Sequence, residues 1–185
     1  MKLTSLKHRV VSQARRGFSL VEGLIVLAVV SVLAGSVLPS FNAAIERRHL
    51  EAVVAQLATD VLLTRSLAVA NNGSMRLSFR ADRGGACYVV HSGATSDCRC
   101  DTGGGATVCT KGAVAAKSAA FQAGSAVSVE SNVASILFHP VHGTSTPTGT
   151  LRAIAKSGAT VHQVVNIMGR VRACTPNAVP GYPKC

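Results

Sequence analysis

Residues 15–38 read RRGFSLVEGLIVLAVVSVLAGSVL, which is a basic pair, a glycine and then a long apolar run with a single charge. From Phe18 to Leu38 the run has 21 residues, and as a helix it would be about 31 Å long, close to the thickness of the apolar core of a bilayer. The residues before it hold five lysines and arginines and no acid. Because basic leaders stay on the cytoplasmic side, we predict that the rest of the chain lies across the membrane.

Glu22 is the one charge in this run, and a carboxylate in hydrocarbon is costly unless it has a partner. If the chain were cut between Gly17 and Phe18, the new amino group would lie about one helical turn from Glu22. Subunits packed side by side could then pair the Glu22 of one chain with the amine of another. The alternative is a single-pass anchor that tolerates one polar residue near its end.

The order of Gly17, Phe18 and Glu22, after a basic pair and before a membrane-length run, resembles the class III signal of type IV pilins and type II secretion pseudopilins. The resemblance implies that a prepilin peptidase removes the leader, residues 1–17, and methylates the amino group of Phe18. It implies that Glu22 serves filament assembly. It also implies one inner-membrane pass, residues 18–38, with the body in the periplasm until the chain joins other pilins in a filament or its tip at the cell surface.

The helical pattern continues beyond the membrane run, so we predict one helix from about Phe18 to Ala70. Its second half, within residues 39–72, is expected to pack one apolar face on a globular body. That face consists of Phe41, Ile45, Val53, Leu57, Val61 and Val69, flanked by Leu50, Val54 and Leu62. Arg47 and Glu51 are spaced to pair on the solvent side, and the residues 71–73, Asn-Asn-Gly, favour a helix end because they tolerate positive φ.

Residues 73–185 then switch to a period of two, which is typical of half-buried strands. In MRLSFRA, alternate residues from Met75 are expected to be buried and those from Arg76 to face solvent. Further strands are predicted at 87–91, 126–130, 135–139, 150–155, 161–167 and 170–174, with turns at Gly149, Gly158 and Gly169. Residues 92–112 are loop by composition. One long helix packed on an antiparallel β-sheet body is an α+β fold, and with the N-terminal signal it is type IV pilin-like.

The C-terminal third resembles the GspH/FimT group of minor pilins and pseudopilins. Members of that group often contain the motif Phe-x-Pro-x-Gly-x-x-x-x-x-Gly. This chain matches the motif loosely, with Phe138, Pro140, Gly143 and Gly149. The closing Gly-Arg-x-Arg motif of the group is matched outright by residues 169–172. In FimT-like minor pilins this motif is associated with DNA capture in natural transformation. The resemblance implies a type IV minor pilin in which Arg170 and Arg172 bind DNA and Gly169 shapes the loop.

The charge distribution agrees with a polyanion partner. The net charge is +11 and no acid follows Glu130, whereas five bases do: Arg152, Lys156, Arg170, Arg172 and Lys184. On a strand, Arg170 and Arg172 would be roughly 6–7 Å apart, close to the spacing of successive phosphates, so each guanidinium could bind one phosphate. Arg152 and Lys156 share one face of their own strand and could extend this patch. Phosphate contacts carry no base information, so DNA would be bound without sequence preference.

The alternative for this region is a structural role that does not involve DNA. The two arginines could be solvated charges on an edge strand, where charge discourages edge-to-edge aggregation. The chain would then be a structural minor pilin, or a GspH-like type II secretion pseudopilin, that primes filament assembly. The discriminating feature is the acid-free, arginine-bearing C-terminus.

Six cysteines in an exported chain predict disulfides. Cys174 and Cys185 stand apart from the others, so we pair them. Cys98 and Cys100 are too close in sequence to pair without strain, so each is expected to bond Cys87 or Cys109, in an order that the sequence leaves open. A zinc site is the alternative, but the spacings fit no common zinc module.

We predict no enzyme, no cofactor and no metal site. His139 and His142 are three apart, but Pro140 prevents a regular helix and no carboxylate lies nearby in sequence. No serine follows the pattern of a nucleophile elbow. A membrane-anchored periplasmic enzyme is therefore the least favoured alternative.

Overall fold

The computed structural model describes residues 17–185, without the side chains of residues 36–40. The chain divides into two compact units, one that ends at Asn42 and one that runs from Ala43 to Cys185. The predicted leader lies outside the described residues except for Gly17. The predicted boundary between residues 18–38 and 39–72 falls where no side chain is described.

Helix α1 runs from Leu20 to Ala70, close to the predicted bounds. Ser19 caps its start, because the Ser19 hydroxyl oxygen accepts the backbone N–H of Glu22 at 3.2 Å. Glu22 lies in the first turn, where the partial positive charge of the helix N-terminus favours a carboxylate. This stabilisation of the helix start is separate from the role in assembly that the resemblance implies.

The first part of α1 is apolar and exposed on the single chain. Leu20–Gly35 is an apolar helix, and Leu24 and Val32 in it are 58% and 73% exposed. The later segment Phe41–Ala70 is also long and apolar enough to cross a membrane by length and composition alone. Because Leu57 and Val61 in that segment are almost completely buried, we assign it as the core helix of the body.

The helix ends where the sequence predicts. Asn72 has a φ of +45°, and the N–H of Gly73 donates to the carbonyl of Ala68 at 3.1 Å. This pattern closes the last turn of a helix. The Arg47–Glu51 pair is also confirmed, with Arg47 Nε 2.9 Å from Glu51 Oε1.

The strands described after the helix pair antiparallel and form two larger sheets and one small ladder. Their bounds are β1 Met75–Asp82, β2 Gly85–Ser92, β3 Cys98–Arg99, β4 Val108–Cys109, β5 Ala115–Gln122, β6 Val127–Ser131, β7 Ser135–Phe138, β8 Ser145–Thr146, β9 Gly149–Ala155, β10 Thr160–Val165 and β11 Val171–Cys174. One sheet has the order β5–β2–β1–β7–β8, the second has the order β11–β10–β9–β6, and β3 pairs with β4. The predicted α+β architecture, a helix on antiparallel sheets, is confirmed.

The second half of α1 buries a stripe that differs from the predicted face. The buried hydrophobic side chains are Leu50, Val54, Leu57, Val61 and Ala68. Phe41, Ile45 and Val69, predicted to pack inward, are 60%, 41% and 49% exposed. The apolar side chains of this helix lie on several of its sides. Their spacing in the sequence alone therefore could not identify the stripe that packs on the sheets.

The unit from Ala43 to Cys185 has its own core. It contains every buried hydrophobic side chain of the described residues and the three disulfides. A compact unit with its own core is expected to fold alone. We refer to this unit as the body.

Residues 92–112 cover the outer face of the β1–β2 pair. The disulfides Cys87–Cys100 and Cys98–Cys109 fasten this segment and decide the pairing that the sequence left open. Ser78, predicted to face solvent, is only 5% exposed as a result. The segment is mostly loop, as predicted, apart from the two-residue strands β3 and β4.

Two further predictions for the strands were wrong. Strand β5, AAKSAAFQ, was not predicted, since it has no β-branched residue and only one aromatic. Gly149 does not form a turn: it is the first residue of β9. A Cβ on Gly149 would lie 2.8 Å from Cδ1 of Ile136, so close packing explains this glycine.

Candidate nucleic-acid interface

The outer face of the sheet β11–β10–β9–β6 carries two of the predicted site residues. In the strand register, Arg172 lies beside Val164, and Arg152 lies beside His162. Residues 162 and 164 are two apart on β10, so their side chains are on the same face of the sheet. Arg152 and Arg172 therefore share that face, and strand spacing puts their Cα atoms roughly 12 Å apart.

Arg170 lies at the end of the turn between β10 and β11. It precedes β11 by one residue, whereas the sequence predicted it within the strand. Its carbonyl still accepts the N–H of Asn166 at 3.1 Å, and the N–H of Gly169 donates to the Asn166 carbonyl at 2.8 Å. The Asn166 side chain completes the turn, because its Oδ1 accepts the N–H groups of Met168 and Arg170, each at 3.0 Å.

Gly169 is buried, has a φ of +68° and lies against a neighbouring loop, residues 139–144. A Cβ on Gly169 would overlap the carbonyl oxygen of Gly143 and lie 3.1 Å from Cδ of Arg65. Both the left-handed conformation and the close approach therefore require glycine at this position.

Arg65 reaches the same point from α1. Its Nε donates to the carbonyl oxygen of Gly143 at 3.1 Å, and its side chain is in contact range of both Gly143 and Gly169. The helix thus supports the two loops directly beneath the turn that precedes Arg170.

Arg170 and Arg172 are both exposed. Within residues 17–185, no ion pair or side-chain hydrogen bond engages either guanidinium. Exposed guanidinium groups without a carboxylate partner are free to bind an external anion.

Arg152 and Lys156, the two other predicted bases, each lie near a carboxylate. Arg152 Nη1 lies 3.9 Å from Oε2 of Glu130, and both side chains are about half exposed (45% and 57%). Lys156 follows β9 and is close to Glu46, whose pKa is lowered chiefly by the Ser157 N–H that it accepts at 2.6 Å. The strongest unopposed positive charge of this surface is therefore at Arg170 and Arg172.

The C-terminal segment is tied to the chain directly after β11. The predicted disulfide Cys174–Cys185 is present. The N–H of Thr175 donates to Pro183 at 2.9 Å, and the N–H of Cys185 donates to Thr175 at 3.2 Å. These bonds hold the exposed Lys184 beside the end of β11.

One group of possible metal ligands is present in the described part of the chain. It consists of His162, Cys174 and Cys185, whose ligand atoms lie within 4.8 Å of one another. The disulfide between the two cysteines removes both thiolates, which are the form that binds metals, so the oxidised protein has no metal site here. His139 and His142 are both exposed on their loop.

A serine–histidine pair lies elsewhere, between β1 and β2. Nδ1 of His91 lies 2.8 Å from the Ser92 carbonyl, so it carries the proton, and Nε2 accepts from the Ser78 hydroxyl at 2.8 Å. The N–H of Phe79, next to the hydroxyl, is already bonded to Ala134. Without a free donor there to stabilise an oxyanion, we interpret the pair as a satisfied buried polar contact.

Sequence reasoning singled out Arg170 and Arg172 as candidate residues but missed the residues that position the turn before them. Arg65 lies far away in sequence, on a helix whose periodicity gives no sign of a loop contact. Asn166 carried a usable signal, since asparagine three residues before a glycine is typical of a turn that it caps. The Glu130–Arg152 contact depends on the β6–β9 register, which the sequence did not define.

Comparison with known proteins agrees with this fold. The family model described as "Type II transport protein GspH" matches residues 53–169, and the model described as "Prokaryotic N-terminal methylation motif" matches residues 12–38. A crystal structure of the Pseudomonas aeruginosa type IV minor pilin FimU is similar over 74% of this chain and 96% of that chain, with a TM-score of 0.52 and 15% identity. A second crystal form of FimU covers 71% and 98% of the two chains, with a TM-score of 0.49 and 13% identity. No curated protein matches the sequence.

Proposed function

This chain belongs to the GspH family of type II transport proteins, and from that premise we propose that it is a type IV minor pilin that binds DNA through Arg170 and Arg172. Binding would be independent of sequence and would serve DNA uptake in natural transformation. The observation that carries the proposal is the exposure of two neighbouring guanidinium groups that have no partner within residues 17–185.

Pilins and pseudopilins of this family are structural proteins that associate with other pilins in a filament. The apolar N-terminal helix and the methylation motif fit an inner-membrane anchor with a periplasmic body. We further propose that prepilin peptidase cuts between Gly17 and Phe18, that Phe18 is N-methylated, and that Glu22 serves assembly.

DNA binding at this surface follows from electrostatics. Gly169 and the Asn166 cap fix the turn that ends at Arg170, and Arg172 follows two residues later on β11. Each guanidinium presents a planar set of donors that matches phosphate geometry. Arg152, partly neutralised by Glu130, and Lys156 extend the positive surface along the sheet.

The test is DNA binding by the isolated body. We expect the double variant R170A/R172A to lose most of its affinity for a labelled duplex, and the slope of log K against log salt to become less steep by about 2, because two phosphate contacts are lost. Fluorescence anisotropy across a salt series measures both quantities.

The control is a variant with the same change in charge elsewhere. Arg83 and Arg99 are exposed and lie on the β1–β2 turn and on β3, in the other part of the body. R83A/R99A should bind the duplex within about twofold of the wild type, as expected for distant charges screened by salt. Equal loss in the two double variants would show a general charge effect and would reject the proposed site.

A purely structural role is the second candidate, and the GspH match favours it. Such a subunit would prime a pilus or a type II secretion pseudopilus without a ligand. It predicts that wild-type body and R170A/R172A bind the duplex equally weakly.

A further inference from the structure

Three large apolar side chains are exposed beside the two arginines. Ile167 and Met168, in the turn before Arg170, are 62% and 52% exposed, and Val141 on the adjacent loop is 73% exposed. We call Val141, Ile167 and Met168 the apolar tip.

The two loops that carry the apolar tip are joined to each other. The N–H of Ser145 donates to the carbonyl of Ile167 at 2.9 Å, and the Ser145 hydroxyl donates to the carbonyl of Asn166 at 2.6 Å. Gly143 and Gly169 approach each other closely at the same place. The two loops that carry the tip are therefore held together, and Ile167 and Met168 have a defined position relative to Arg170.

The fold does not need these side chains. The turn is closed by backbone bonds and by Asn166, which caps the N–H groups of Met168 and Arg170. The side chains of Ile167 and Met168 point to solvent and are not part of the hydrophobic core. Residues in turns are usually polar. Two exposed apolar side chains at adjacent positions of this turn therefore favour a role in binding a partner.

We propose that the apolar tip contacts unpaired bases, and that the protein therefore prefers single-stranded DNA. The proposal rests on the proposed function, since Arg170 and Arg172 would hold the phosphates. Met168 and Arg170 are two residues apart, at most about 7 Å along the chain, so one nucleotide can reach both a guanidinium and the tip.

The two forms of DNA differ in what they offer to an apolar surface. In a duplex the faces of the bases are stacked, and only their edges are open in the grooves. In a single strand the faces can lie on side chains. Isoleucine and methionine are able to contact base faces, since they insert between partly unstacked base steps where a protein kinks a duplex. No aromatic ring is present in this turn, so the contact would be aliphatic and weaker than aromatic stacking.

The positive charges next to the tip favour a polyanion over an apolar protein surface. An interface with a neighbouring pilin would bury Arg170 and Arg172 together with the tip, and burial of charges without partners is costly. A protein partner is the competing outcome of the test.

The experiment compares the wild-type body with I167S/M168S on three labelled probes: a single strand, its duplex, and the same single strand with abasic sites. We expect the wild type to bind the single strand more tightly than the duplex. The substitution should weaken single-strand binding about fivefold and change duplex binding less than twofold. The control V108S/V114S removes two valines that are 63% and 66% exposed elsewhere and should change neither.

The abasic probe keeps the test decisive if the variant folds poorly, because it needs only the wild-type body. Loss of the bases should weaken binding about fivefold. Equal affinity for the normal and abasic strands, or equal weakening of single-strand and duplex binding in I167S/M168S, would overturn the proposal while leaving phosphate binding by the arginines intact. No effect of I167S/M168S on any probe would also overturn the proposal and would leave a contact with a neighbouring protein as the competing explanation of the tip. Absence of DNA binding by the wild type would reject both this proposal and the proposed function.

Discussion

Arg65 of α1 donates a hydrogen bond to the carbonyl oxygen of Gly143 at 3.1 Å, and Gly143 in turn lies against Gly169. One side chain of the core helix thus fixes the two loops that flank Arg170. Arg65 itself does not need to touch DNA for this role, so we regard it as a positioning residue.

Replacement of Arg65 by methionine should weaken duplex binding roughly fivefold, because the loops lose the contact that preorganises them. The stem of methionine keeps much of the packing, so the body should remain folded. Anisotropy with a labelled duplex measures the affinity, and urea unfolding measures stability.

The salt dependence separates positioning from direct contact. A residue that binds no phosphate should leave the slope of log K against log salt unchanged, whereas R170A should reduce it by about 1. R83M, which removes an exposed arginine elsewhere, is the matched control and should keep the wild-type affinity. A slope reduced in R65M as much as in R170A would mean that Arg65 is itself a phosphate ligand.

Gly169 should be far less tolerant of alanine than Gly124, a glycine with positive φ that lies in open space. G169A introduces both a strained φ and a collision with the Gly143 carbonyl, so we expect a loss of about 3 kcal/mol in the free energy of unfolding. Gly124 has a φ of +81° with open space around it, so G124A should cost only about 1 kcal/mol. Urea unfolding of both variants measures the difference, and equal costs would show that the contact with Gly143 is not rigid.

The sequence predicts the long helix, most strands and the terminal disulfide because each depends on a local signal. The run from Phe18, the stop at 71–73 and the alternation after Met75 are such signals. The face of α1 was not predictable in the same way, since apolar residues lie on more than one side of it.

The parts of the site that the sequence missed depend on tertiary contacts. Arg65 meets Gly143 and Gly169 only because α1 crosses beneath both loops. Likewise, Ser78 is buried only because the disulfide-bonded segment folds back over β1. Neither contact has a signature in residue spacing.

Lys117 should contribute more to stability than an ordinary surface lysine. Its Nζ lies 2.5 Å from Asp60, whose side chain is 1% exposed and also accepts the Tyr88 hydroxyl at 2.5 Å. K117M leaves this buried carboxylate without its cation, and since the Lys117 side chain is 39% exposed, we expect a loss of about 2 kcal/mol in the free energy of unfolding.

The control for the Lys117–Asp60 pair is an exposed ion pair on α1, the helix that carries Asp60. The Arg48 side chain is 85% exposed, and its Nη1 lies 3.3 Å from Glu51, so R48M should change the free energy of unfolding by less than about 0.5 kcal/mol. Chemical denaturation at neutral pH compares the two variants. A cost for K117M as small as that of R48M would show that water reaches Asp60 when the lysine is removed.

The stability of the body should fall as the pH decreases below about 6.5, and His91 should be a main cause. Burial lowers the pKa of His91 from its ordinary value of 6.5, the Ser92 carbonyl raises it, and the charges of Arg76 and Asp97 act in opposite directions. The unfolded chain therefore binds a proton at a pH where the folded chain does not, and stability rises with pH in that window. The lowered pKa values of Asp82, Asp97 and Glu46 act mainly near and below their ordinary values of 3.8 and 4.5, so they contribute little between pH 6.5 and 5.

Urea unfolding of the body at several pH values from 8 to 5 tests this assignment. H91N should be less stable than the wild type at pH 8, because a buried polar contact with Ser78 is altered, but its stability should decrease less on acidification. Burial and Arg152 also lower the pKa of His162, so part of the pH dependence should remain in H91N. Substitution of the exposed His142 by glutamine is the control and should leave the wild-type dependence. If H91N and the wild type lose the same free energy between pH 8 and 5, His91 is protonated in the folded body without cost, and the packing of residues 92–112 over β1 and β2 does not exclude water from it.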